Sequence, residues 1–238
     1  MLNSGFGVVV LKQFGPEIWT ADGPSVSTAG FEYSTRMAVI RLSDGGLFVW
    51  SPVKLSDHLR ADVDALGEVR HLVAPNSLHH LFLDDWRRAY TKARLHAAPG
   101  LRRKRKDIDF DGDLSNESVA EWAGDIDQVV VPGNLITTEV VFFHRKSATV
   151  LFADLVQHFP AGWFSGWRGV VARWDLMVGS EPAVPRKFRN TFIGRRAARA
   201  SLAVILAWPS EKVLMAHGNP VNEDGRAFIG RAFRWIVK

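Results

Sequence analysis

Apolar residues in this chain come in short blocks, and most blocks stop at glycine, proline or aspartate. Val8 to Leu11 and Glu17 to Ala21 read as two short strands, with Gly15-Pro16 between them as the turn. Arg36 to Leu42 and Leu47 to Trp50 flank Ser43-Asp-Gly-Gly46, the pattern of a β-hairpin. Ser56 to Leu66 reads as a helix, with Ser56 as its cap and Leu59, Val63 and Leu66 on one face. Val69 to Ala74 is a buried strand closed by Pro75, and a helix with Leu83, Trp86 and Tyr90 on one side follows His80 and fades around Ala97 to Gly100. Gln128 to Val131, Thr137 to His144 and Thr149 to Val156 read as three further strands. A turn centred on Lys146-Ser147 would set His144 opposite Thr149 and Glu139 opposite Asp154. Residues 157–201 are rich in tryptophan, and the second half of Phe188 to Leu206 reads as helical. Val213 to Met215 is a last strand, and Asp224 caps a last helix with Phe228, Ala232, Trp235 and Ile236 on one side.

Composition narrows the chemistry. The 238 residues include no cysteine, which excludes disulfides, thiolate catalysis and cysteine-ligated zinc. No apolar run reaches the roughly 18 residues of a membrane span, and Met1 to Gly7 lacks the basic start and apolar block of a signal peptide. A cytoplasmic protein is expected, with one domain over residues 1–238. The net charge of +5 permits anionic partners without requiring them. The basic run Arg102 to Lys106 is followed by aspartates at 107, 109, 111 and 113 and reads as a solvated surface segment. Those aspartates alternate as in a calcium loop, but the loop's required glutamate falls on Ser118, so a solvated loop is expected. No nucleophile elbow or glycine-rich phosphate loop is present.

Three apolar runs end in residues of metal-ligand type: Leu72 to Ala74 before His79 and His80, Thr149 to Ala153 before Asp154, and Lys212 to Ala216 before His217. Strand ends that deliver His79, His80, Asp154 and His217 to one point would form a metal site. Each residue alone has a plainer reading, as a helix-start histidine, a strand-end turn residue or a loop histidine; their co-occurrence carries the signal. His144 reads as structural, and His58, His71, His96 and His158 receive no functional role.

In this order the residues resemble the metallo-β-lactamase superfamily, and within it a divergent branch of domains of unknown function. The resemblance implies an α/β (α+β) fold, a four-layer αβ/βα sandwich of two mixed β-sheets flanked by helices, with the metal site at one edge. The family's His-x-His-x-Asp-His motif falls on Pro75 to His80: Pro75 and Ser77 stand where the first two histidines would be, His79 where the aspartate would be, and His80 keeps the last histidine. The histidine of Pro-Gly-His is replaced by Asn134, while Asp154 keeps the bridging aspartate and His217 the last histidine. The losses fall on one of the family's two metal sets. The resemblance therefore implies one divalent transition metal held by His79, His80, Asp154 and His217, Zn²⁺ first, with Fe²⁺, Mn²⁺ or Ni²⁺ as the other candidates. Glu139, if it faces Asp154, would be a catalytic base, an extra ligand or a partner of the ligands.

Two functions follow. One is a metal-dependent hydrolase acting on a small-molecule substrate. The other is a non-catalytic descendant that binds a ligand or a protein through the same edge. The replacement of the family's aspartate by His79 weighs against the first. The Trp-rich stretch is open between packing, a substrate wall and a partner surface. Nucleic-acid processing ranks last, because the two-metal arrangement suited to phosphodiesters is not kept.

Overall fold

The structure is a computed structural model and describes residues 9–237. The expectations for Met1 to Gly7 and for Val8 lie outside the described residues. In chain order, β1 (Lys12–Gly15), β2 (Ile18–Thr28), β3 (Phe31–Arg41) and β4 (Leu47–Trp50) precede α1 (Asp57–Asp64), β5 (Val69–Ala74), α2 (Leu83–Ala89), β6 (Arg94–Ala97), α3 (Leu101–Lys104) and β7 (Gly112–Asp113). Then come β8 (Ile126–Val131), β9 (Glu139–His144), β10 (Thr149–Phe152), α4 (Gly166–Trp174), α5 (Arg186–Asn190), α6 (Arg195–Ala207), β11 (Lys212–Met215), α7 (Gly225–Ala232) and α8 (Arg234–Val237).

Strands β1 to β7 form one sheet in sequence order, and a second sheet runs β11-β10-β9-β8. Both are mixed: β1 to β4 are antiparallel and β4 to β7 parallel, while β10 pairs parallel with β11 and antiparallel with β9. The sheets face each other across Phe48, Trp50 and Val73 on one side and Phe142, Leu151 and Leu214 on the other, all fully buried. Helices α1 and α2 cover the outer face of the first sheet through Leu59, Val63, Leu83 and Trp86. Helices α6, α7 and α8 cover the second through Leu202, Ile205, Phe228, Ile229 and Ile236. This is the expected sandwich, and it follows from strands that are apolar on both faces.

Local chemistry explains the boundaries. The Ser56 hydroxyl accepts from Leu59 N at 3.2 Å and starts α1, a cap worth about 1 kcal/mol. The β9–β10 turn closes through Ala148 N to the Arg145 carbonyl at 3.1 Å, which centres it on Lys146-Ser147 and pairs His144 with Thr149.

Several expectations need correction. The first strand begins at Lys12, not within Val8 to Leu11. The stretch around Ala97, expected to be the fading end of a helix, contains β6, whose Leu95 and Ala97 are buried beside β5. The segment expected to be a solvated loop contributes α3, the edge strand β7, and buried Ile108 and Phe110. These apolar runs are too short to show a period; a pairing partner already in place stabilises them. Strand β10 ends at Phe152 rather than Val156, so residues 153–156 leave the sheet and carry Asp154 into a loop. Asp224 precedes α7 in a left-handed conformation and its side chain caps nothing.

Candidate metal site

Strands β5, β10 and β11 end side by side, and the loops beyond them form the site. After β5, Pro75 leaves the sheet, and Asn76 turns the chain by accepting Leu78 N at 2.8 Å and His79 N at 3.1 Å on its side-chain oxygen. This is the Asx turn typical of asparagine, and it presents His79. Beyond β10 and β11, Asp154 and His217 each lie two residues past the registered pair Phe152–Met215. Gly218 lets the last loop turn: its φ is +100°, and a Cβ there would lie 1.7 Å from the His158 carbonyl oxygen.

His79, Asp154 and His217 converge, with one ligand atom from each within 4.8 Å of the others. The Nε2 of His79 lies 3.2 Å from Asp154 Oδ2, and the Nε2 of His217 lies 3.3 Å from Oδ1. Around a tetrahedral ion with bonds of about 2.0–2.2 Å, neighbouring donor atoms sit roughly 3.3–3.5 Å apart, so these two separations match the edge of such a polyhedron. The tautomer of His217 also fits. Its Nδ1 lies 2.6 Å from the Ser34 carbonyl oxygen, which can only accept, so Nδ1 carries a proton and Nε2 is the atom turned to Asp154.

Neighbouring groups hold the three side chains in place. Ser51, itself in a left-handed conformation at φ 52°, places its hydroxyl 2.7 Å from His79 Nδ1; a non-glycine residue held there marks a position fixed by its surroundings. Tyr33 and Phe159 pack against the His217 ring. Arg36 grips the β11 loop through the carbonyls of Met215 and Gly218. Asp154 is buried, which would raise its pKa, but the charge and hydrogen bonds of His79 and His217 outweigh burial and hold the carboxyl well below its usual range. Gln157 donates to Asp154 Oδ1 at 3.3 Å, and its own side-chain oxygen is buried without a partner, an acceptor left over beside the ligand set.

The two remaining expected residues are placed differently. His80 lies outside the cluster: its Nδ1 meets an Arg105 Nη at 3.0 Å, and because guanidinium only donates, Nδ1 is the acceptor. Burial, followed by the charges of Lys104 and Arg105, lowers the His80 pKa to about 4. Glu139 does stand level with Asp154, but its carboxyl is fully buried and does not line the cavity. It accepts Ala153 N at 2.9 Å, Asp154 N at 2.7 Å and Leu155 N at 3.1 Å, so it is a strut under the Asp154 loop. Burial, with the Asp154 charge next, pushes its pKa up to about 7 against the pull of those three donors. Asn76 joins the two carboxyls, donating to Asp154 Oδ2 at 2.8 Å and Glu139 Oε2 at 3.3 Å. No sequence signal had marked Asn76, Ser51, Gln157 or Arg36.

The positions that lack the family's other histidines are occupied by structural contacts. The Pro75 carbonyl accepts Val140 N at 2.8 Å, Ser77 meets Thr137 at 3.2 Å, and Asn134 ties its own loop to the Phe188 carbonyl at 2.8 Å. Among the described residues, His79, Asp154 and His217 form the one cluster of three metal-ligating side chains. It opens onto a cavity of about 620 Å³ with walls from Phe31, Tyr33, Leu78, Ile136, Trp174 and Met177.

Solved structures share this architecture. The metallo-β-lactamase from Pontibacter korlensis aligns with a TM-score of 0.64 at 8% identity, covering 96% of this chain and 98% of that one. The metallo-β-lactamase FIM-1 from Pseudomonas aeruginosa, in its mono-zinc form, aligns with a TM-score of 0.61 at 11% identity, covering 97% of each chain. The metal-soaked Flv1 flavodiiron core from Synechocystis sp. PCC6803 aligns with a TM-score of 0.64 at 11% identity, covering 96% of this chain and 60% of that one. At such identities the likeness establishes the metallo-β-lactamase fold. No curated protein matches by sequence. No helix among the described residues is long and apolar enough to cross a membrane. The model of the family described as "Domain of unknown function (DUF4336)" matches residues 16–165, most of the chain, and the protein belongs to that family.

Proposed function

We propose that this protein binds one divalent transition metal at His79, Asp154 and His217 and is a metal-dependent hydrolase of a small molecule with a substantial apolar part. The observation that carries the reading is the convergence of two imidazole Nε2 atoms on one buried carboxylate, at 3.2 and 3.3 Å, at the edge of a largely apolar cavity. Two histidines, one carboxylate and no thiolate suit Zn²⁺ first and Fe²⁺ or Mn²⁺ next. Three protein ligands leave a coordination position open, the arrangement of catalytic rather than structural zinc. A bound cation would polarise a carbonyl or phosphoryl oxygen and lower the pKa of a water beside it. The chain's own residues keep Asp154 ionised, fix the His217 tautomer and enclose the substrate's apolar part behind Phe31, Trp174 and Met177.

A second reading, a metal-dependent binder without turnover, is favoured by one observation. Among the described residues the carboxylates lining the cavity are Asp154 and Asp175, and Asp175 is paired with Lys187 at 3.6 Å, so none of the described residues places a free carboxylate base there.

The test is elemental analysis of chelator-free protein beside His79→Ala and His217→Ala variants, followed by a screen of ester, thioester, lactone and phosphoester substrates. About one equivalent of metal, lost in both variants, with turnover that follows metal content, supports the hydrolase. Metal without turnover selects the binder. Absence of metal after incubation with zinc, iron or manganese refutes both.

A further inference from the structure

Helix α4 is built inside out. Its buried face holds only Gly169 and Ala172. Trp167, Val170, Val171 and Trp174 recur at i, i+3, i+4 and i+7 and so share one face, and that face is turned to solvent: Trp167 is 60% exposed, Val170 59% and Trp174 64%. A helix that packs on a core shows the opposite arrangement. It is nonetheless held firmly. The Trp163 indole donates to the Glu32 carbonyl at 2.8 Å, and Arg168 donates to the Gly30 carbonyl at 2.6 Å, which fastens both to the tip of the β2–β3 hairpin.

This stripe is continuous with the mouth of the metal-site cavity. Val171 and Trp174 line the cavity on one side; Leu78, Leu81 and Ile136 line it on the other and are also exposed. Exposed apolar residues that surround one opening mark an interaction site rather than scattered surface.

The charge around the opening identifies the partner. Several arginines elsewhere are paired with carboxylates, as in Arg41–Glu17, Arg70–Asp44, Arg94–Glu121 and Arg145–Asp127. Around the opening, Arg168, Arg173, Arg186 and Lys104 form no ion pair among the described residues, and α4 has no acidic residue. Arg168 and Arg186 lie over the rings of Trp167 and Trp174, at 4.8 and 5.4 Å from their centroids, so cation and apolar surface are presented together. Tryptophan and valine beside unpaired arginine on one helix face are the elements of a helix that lies in the plane of a bilayer interface, and anionic headgroups supply the missing counter-charge.

We propose that the α4 face and the rim of the cavity dock onto the surface of an anionic phospholipid bilayer, so that the cavity opens towards the acyl region. The surface stands on its own geometry and does not depend on the metal.

The test is flotation of the full-length protein with vesicles of phosphatidylcholine alone and of phosphatidylcholine with 30 mole per cent phosphatidylglycerol, about the fraction that gives a strong negative surface potential. Binding to the anionic vesicles at low salt is expected, with weak binding to the neutral ones. Trp167→Ser/Val170→Ser/Trp174→Ser should reduce binding by about tenfold or more, as loss of the apolar anchors implies, with an unchanged far-ultraviolet dichroism spectrum. Arg173→Gln/Arg186→Gln should remove most of the preference for anionic vesicles and leave the fold intact. His217→Ala should bind vesicles like the parent protein, which separates this proposal from the metal site. No flotation with either composition, or flotation that the triple variant leaves unchanged, overturns it. So does a dimer in sedimentation that the triple variant converts to monomer without any vesicle binding in the parent, because the face would then belong to a second copy of this chain.

Discussion

Gly218→Ala is the substitution whose effect the structure defines most closely. A Cβ on residue 218 would sit 1.7 Å from the His158 carbonyl oxygen and 2.2 Å from its carbon. Ordinary contact would need more than an ångström of movement, and the obstacle is backbone, so no side chain can swing away. The residue would also keep a φ of +100°, where L side chains are strained, at about 1–3 kcal/mol. Relieving the clash separates the two segments that join at His158, breaking His158 N to His217 O and Asn219 N to His158 O, both 3.0 Å. Each bond contributes about 1 kcal/mol net. The sum is roughly 3–5 kcal/mol, and at about 2–4 °C per kcal/mol for a protein of this size the melting temperature should fall by roughly 6–20 °C. Because residue 217 moves with its neighbour, the variant should also lose metal stoichiometrically, even at temperatures where it is folded. Thermal denaturation by circular dichroism and elemental analysis of the same sample read the two effects. A variant that melts within 2 °C of the parent and keeps its metal would refute the reasoning.

Asn76→Ala removes the Asx turn before His79 and the link from Asp154 to Glu139. Loss of such a support commonly weakens metal affinity about 10- to 100-fold, and competition with a fluorescent chelator measures it; an unchanged affinity would show that Asn76 does not position the ligands. Chelator should lower the melting temperature of the parent and leave His217→Ala unaffected, since only a ligand of the native state stabilises it; equal shifts would place the responsible metal elsewhere. His144, buried beside Ser147, has its pKa lowered by burial to about 4 from 6.5. Between those values the unfolded chain binds a proton that the folded chain does not, so its contribution falls as pH falls. Between pH 7 and 5, urea denaturation should show the parent losing about 2 kcal/mol more than His144→Gln; parallel curves would contradict the assignment.

Legibility from sequence followed the length of each pattern. Val69–Ala74 and Lys212–Met215 are apolar runs bounded by breakers, and both were recognisable as strands. Arg94–Ala97 and Gly112–Asp113 were not, because four and two residues carry no period and their stability comes from β5 beside them. At the site, His79, Asp154 and His217 could be found because each follows a readable strand. His80 could not be separated from His79 by position alone; the difference lies in Arg105, which approaches from 25 residues away. Asn76 and Gln157 sit in loops with no repeating pattern, and their importance rests on hydrogen bonds that only the folded chain makes. The outward face of α4 shows the same limit: the sequence left the Trp-rich stretch open between packing, a substrate wall and a partner surface, because residue type does not tell which face meets the core.

The three candidate ligands are divided between the sheets. His79 belongs to the loop after β5 in the seven-stranded sheet, whereas Asp154 and His217 follow β10 and β11 in the four-stranded one. A metal ion held by all three would be a clasp across the open end of the sandwich, closing long loops of intervening chain. Separating the layers at that end would require breaking a coordination bond, so the ion would act on the rate of opening as well as on the equilibrium. Metal-loaded protein should therefore resist proteolysis first in the loops beyond β5, β10 and β11, while the far end of the sandwich, closed by the β9–β10 turn, keeps the susceptibility of the metal-free chain.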